Sequence, residues 1–186
     1  MEASMNFSKR AIIQCTGRES GFSLIELMVA IGVLSILAGI ATPGFINWLP
    51  DYRLKSAARD LYSNFQLARI TAIKSGTHCT ITFNQPVDDV TYDYVVFKDA
   101  DNDLEYDTSE KPGIITKVKW TDYKSVSGNS NTFTNNDDGL PAIAFRSNGI
   151  PSNNTGGLGM GTLSIKNTKN KETDIVVSSA GNIRID

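Results

Sequence analysis

The sequence predicts an α+β protein, one long N-terminal helix followed by a β-rich remainder. Three observations predict it. An uncharged run extends from Leu27 to Pro50, apolar residues then recur at steps of three and four as far as Ala72, and short alternating segments follow Gly76. A chain of 186 residues suits one compact domain plus an appendage. With 40% apolar and 20% charged residues it is neither a collagen, a coiled-coil rod nor a wholly disordered chain. A net charge of −2 argues against a protein that coats nucleic acid. The 2 cysteines, Cys15 and Cys79, cannot build a disulfide framework or a four-ligand zinc site.

The first element is the uncharged run, LMVAIGVLSILAGIATPGFINWLP. About 20 apolar residues cross a bilayer as a helix, so its length suffices. Asn47 and Trp48 suit an interfacial end, and Lys9, Arg10 and Arg18 against Glu2 and Glu19 favour a cytoplasmic N-terminus. A plain signal anchor and a cleavable secretory signal both fit this much. Neither explains the boundary Gly21-Phe22-Ser23-Leu24-Ile25-Glu26, where a carboxylate enters the apolar segment. A secretory signal keeps its small cleavage residues after the apolar run, whereas here Gly-Phe precedes it. A charge at the centre of an apolar membrane helix costs about 2.5–3.5 kcal/mol on insertion scales and less near the interface, so Glu26 calls for a partner.

Gly21-Phe22-Ser23-Leu24-Ile25-Glu26-Leu27-Met28 resembles the class III signal of type IV pilins and type II secretion pseudopilins. The resemblance implies that a prepilin peptidase removes residues 1–21 as a leader and that Phe22 is then N-methylated. It implies that Glu26 pairs with the N-terminal amine of a neighbouring subunit, and that Pro43 bends or locally unwinds the helix near Ala41–Gly44. Residues 22–50 become the membrane half of the helix. Residues 51–186 form the periplasmic domain of a pilin-like fold, with an amphipathic helix over 51–75 packed on an antiparallel sheet within 76–186. The N-terminal half protrudes from that domain. Cleavage leaves 165 residues with Cys79 as the remaining thiol.

The second half of the helix presents Leu54, Ala58, Leu61, Phe65, Ala68 and Ala72 on one face, and Gly76 supplies a stop. Candidate strands are 77–83, 92–97, 114–120, 142–145, 162–165, 174–177 and 183–185. Between them, 127–139 and 147–161 are rich in Asn, Asp, Ser and Gly and read as turns and loops. The order of the C-terminal segments, from Ala144-Phe145-Arg146 to Gly181-Asn182-Ile183-Arg184, is similar to type II secretion protein H and the FimT-like minor pilins. The two branches share this layout, which leaves secretion and pilus biology undivided. The implied role is that of a minor pseudopilin or pilin at or near the tip of an inner-membrane filament and active in its initiation. Its implied partners are other pilin subunits, the peptidase and the membrane.

Three constellations could carry further chemistry. Asp99, Asp101, Asp103, Glu105, Asp107 and Glu110 fall at positions 1, 3, 5, 7, 9 and 12 of an EF-hand-like calcium loop. Leu104 occupies the position that needs glycine, and strand-like segments flank the loop, so a solvated acidic turn is the competing reading. His78 is the sole histidine, with no triad spacing around it, and Cys79 sits in an alternating segment that predicts a buried, inert thiol. No nucleotide or zinc motif is present, and the resemblance implies a peptidase substrate, not an enzyme. FimT-like competence pilins carry a C-terminal Gly-Arg-x-Arg motif for DNA. Here Gly181-Asn182-Ile183-Arg184 keeps one arginine, and Lys166, Lys169, Lys171 and Arg184 could form a modest basic patch.

Overall fold

The computed structural model describes residues 21–186. The expected leader apart from Gly21, and with it Cys15, lies outside them. The chain divides into two compact units at Pro43/Gly44, and α1 (Leu24–Ser75) supplies the described part of the first beyond Ser23.

In the first unit every described residue is exposed, including Leu27, Val33, Leu37 and Ile40. A helix apolar all round is stable only when lipid or protein surrounds it. Its hydroxyls are consistent with such a setting. Ser35 Oγ donates to the Ile31 carbonyl at 2.8 Å and Thr42 Oγ1 to the Ala38 carbonyl at 2.6 Å, so neither needs water. Of the bend or local unwinding expected near Ala41–Gly44, the unwinding does not occur. α-Helix continues through Pro43. Proline removes one donor, that to the Gly39 carbonyl, and the remaining amides of the ladder hold the helix through that point.

In the second unit α1 continues to Ser75 and ends where Gly76 turns to φ +71. Nine strands follow: β1 (His78–Val87), β2 (Val90–Asp99), β3 (Ile114–Val118), β4 (Val126–Asn131), β5 (Ala142–Phe145), β6 (Pro151–Ser152), β7 (Gly161–Asn167), β8 (Glu172–Val177) and β9 (Ile183–Ile185). They form two antiparallel sheets, β3-β2-β1-β5-β6 and β4-β7-β8-β9. Leu54, Leu61, Phe65, Ala68 and Ala72 of α1 bury against Ile81, Phe83, Tyr94 and Phe145 of the first sheet and Leu163, Ile165 and Ile175 of the second. Phe65 is the hub, its ring 6.0–6.5 Å from those of Phe83, Phe133 and Phe145.

Several features exceed the sequence expectation: a second sheet, the short strand β6 within 147–161, the β1–β2 turn and β4. β1 and β2 join through Asp88-Asp89, both at positive φ (50° and 63°), the geometry of a tight hairpin that Asn-Gly would ordinarily signal. β4, Val-Ser-Gly-Asn-Ser-Asn, forms inside the segment read as loop. Its ladder to β7 holds it, and Gly128 leaves room for the indole of Trp120, whose Nε1 would lie 3.2 Å from a Cβ there.

Candidate functional site

The N-terminal site begins at Phe22, exposed at the helix start, with Leu27 N–H donating to the Ser23 carbonyl at 3.1 Å. Glu26 falls in the first turn of α1. The unpaired amides and the helix dipole there favour an anion, which offsets part of the cost of a carboxylate in an apolar segment. Gly21 and Phe22 lie just before the helix, with Glu26 in its first turn.

The six carboxylates of the acidic segment are not gathered at one point as its spacing suggests. Only Asp99, Asp101 and Asp103 bring carboxylate oxygens within 4.8 Å of one another among the described residues. Asp99 is fully buried and already occupied. Its Oδ2 accepts from Thr80 Oγ1 at 2.8 Å and Leu104 N at 3.1 Å, and its Oδ1 from Asn102 N at 2.6 Å. Glu110, the expected bidentate ligand, instead accepts from Ala100 N at 2.7 Å and from Asp107 N at 3.4 Å. Glu105 and Asp107 lie outside the close group. Burial pushes the Glu110 carboxyl up to about 7 despite those two donors.

Leu104 also departs from expectation. It adopts the left-handed conformation itself, at φ +64. Its side chain is buried against Ala142 and Ala144, and its carbonyl accepts from Asn136 Nδ2 at 3.0 Å. Burial of a leucine outweighs the roughly 1–2 kcal/mol of left-handed strain. Tyr106 packs edge-on against Phe97 at 5.5 Å. The segment is thus a flap over the face of the first sheet that α1 does not cover, which is why Tyr94, Val95, Val96 and Phe97 are buried on both faces of β2.

The C-terminal basic residues are spread over the second sheet and partly engaged with other groups. Arg184 Nε pairs with Asp186 Oδ2 at 2.9 Å on the edge strand β9, level with Val176. Lys166 stands opposite Glu172, four residues and about 13 Å away along β8. Lys169 donates to the Asn47 carbonyl. Gly181 serves the fold, its carbonyl accepting from Arg69 Nη1 at 3.0 Å. Cys79 is buried, and burial, with Asp99 near, pushes its thiol up to about 12. His78 is lowered by burial, and its Nδ1 has no hydrogen-bond partner. Sequence reasoning missed a polar cleft of about 380 Å³ bordered by Asn84, Asp93, Asn129 and Asn131 with Trp120 at its floor, because its members come from both sheets.

An apolar helix with one carboxylate in its first turn, leading into a helix-on-sheets domain, is the architecture of the pilin class. Within that class the chain belongs to the family of the type II transport protein GspH, whose profile matches residues 57–181. The prokaryotic N-terminal methylation motif matches residues 16–42. Among solved structures the chain is similar to the minor pseudopilin EpsH from the type 2 secretion system of Vibrio cholerae, at 16% identity and TM-score 0.46 over 72% of this chain and 95% of that one. It is also similar to the type IV minor pilin FimU of Pseudomonas aeruginosa, at 15% identity and TM-score 0.43 over 73% and 90%. No curated protein sequence matches significantly. The family is one of structural subunits that assemble with other pilins.

Proposed function

We propose that the chain is a minor pseudopilin or minor pilin, held in the inner membrane by the first half of α1 with its C-terminal domain in the periplasm. It enters a filament at or near the tip and takes part in starting it. The observation that carries this reading is Glu26, a lone carboxylate in the first turn of α1, four residues after Phe22 and ahead of an exposed stretch that is uncharged from Leu27 to Pro50. A carboxylate in an apolar surrounding gains most from a cation that satisfies it there, and the methylated amine of Phe22 on an adjacent subunit is such a cation. The position near the tip rests on membership of a family of minor subunits.

Co-expression with a prepilin peptidase tests the first step. Intact-mass measurement should show loss of 21 residues and a methylated Phe22 terminus. A cut after the apolar run, or none, overturns the reading. Glu26→Ala should be processed and inserted as the wild type is, yet fail to enter filaments. Normal incorporation of that variant would remove the pairing role.

A further inference from the structure

At the end of the uncharged run and directly beyond it, α1 carries Trp48, Tyr52, Lys55 and Arg59. At about 100° per residue these four stand within roughly 60° of one another around the helix, a single stripe about 16 Å long. The indole of Trp48 and the ring of Tyr52 lie 5.0 Å apart, and both residues are about half exposed. Lys55 and Arg59 are exposed, and neither enters an ion pair among the described residues. Together with Asp51, Ser56 and Asp60 the stripe borders a groove of about 310 Å³. The two acids in it face other partners: Asp51 Oδ1 accepts from Asn167 Nδ2 at 2.7 Å, and Asp60 hydrogen-bonds Tyr123.

We infer that this stripe is a binding surface for an anionic phospholipid headgroup of the outer leaflet, an inference that rests on the membrane anchoring proposed above. Three physical facts combine. Paired indole and phenol rings with an apolar body and a polar edge settle at headgroup level. Helical side chains lean toward the N-terminus, so Lys55 and Arg59 point their long stems back toward the membrane end of α1. Lys55 lies five residues, about 7.5 Å, past the last uncharged residue, comparable with the 5–8 Å of headgroup on one side of a bilayer. The rings mark the depth, and the cations take the phosphate. A neutral or zwitterionic lipid satisfies the rings alone.

Native mass spectrometry of the full, processed chain tests this in mixed micelles holding equal phosphatidylglycerol and phosphatidylcholine. The wild type should retain phosphatidylglycerol preferentially, by about fivefold for each cation engaged. Lys55→Ala with Arg59→Ala should abolish the preference. Lys117→Ala with Lys119→Ala, a basic pair stacked over Tyr92 on the sheet, should preserve it. Equal retention of both lipids by the wild type, preference surviving the helix double variant, or equal loss in the sheet double variant would each overturn the site. Alkaline carbonate extraction separates the two readings. A wild type washed from membranes removes the anchoring and the lipid site with it, whereas a retained chain without lipid preference removes the lipid site alone.

Discussion

Replacing Asp99 by alanine discriminates a structural carboxylate from a metal ligand. Three donors converge on it, and two of them, Thr80 Oγ1 and Leu104 N, are buried. Asn102 is exposed, and its amide can turn to water. Each buried donor left without a partner costs about 1–3 kcal/mol, so the variant should lose about 2–6 kcal/mol in total. A domain of this size shifts its melting temperature by about 3 °C per kcal/mol, which gives a drop of roughly 6–18 °C. The assay is thermal unfolding of the detergent-solubilised chain by near-ultraviolet circular dichroism, in chelator throughout. Asp101→Ala, exposed and without a hydrogen bond to the backbone, is the control and should melt within about 2 °C of the wild type. If Asp99→Ala melts like the wild type in chelator, Asp99 does not hold the flap, and the account of the acidic segment is wrong.

Phe65→Ala should cost about 3–5 kcal/mol, because a fully buried ring between three other phenylalanines leaves a cavity no neighbour can fill. Leu67→Ala, two residues on and exposed, should melt as the wild type does, and equal losses in the two would refute the assigned helix face. Glu110 has its folded pKa raised to about 7, so protonation favours the folded state. That contribution is complete below the unfolded value of about 4.5 and is lost as pH rises through 7. The melting temperature of the wild type relative to Glu110→Gln should therefore be higher at pH 5 than at pH 8, and a pH-independent difference would contradict it. Millimolar calcium should leave the wild-type melting temperature unchanged, since Asp99 and Glu110 are engaged with backbone and hydroxyl donors. A rise abolished by Asp101→Ala together with Asp103→Ala would instead establish a metal site.

What the amino-acid sequence determines by itself is local and periodic. The uncharged run, the Gly21-Phe22 junction with Glu26, and the three-to-four spacing from Leu54 to Ala72 are each legible because a helix repeats every 3.6 residues and a lone charge in apolar surroundings stands out. Strands such as β5 and β9 show for a similar reason, as short apolar runs between turn residues. What only the tertiary structure decides depends on partners far away in the chain. β4 has no apolar signature and becomes a strand through β7, 30 or more residues on, and through the Trp120 indole beside Gly128. Two sheets form where one was expected, because α1 is long enough to bury its apolar face against both. The acidic segment shows the limit most plainly. Its spacing is that of a calcium loop, yet burial of Leu104 against Ala142 and Ala144 turns Asp99 and Glu110 inward onto backbone amides. A spacing rule cannot register packing that comes from 38 and 40 residues along the chain.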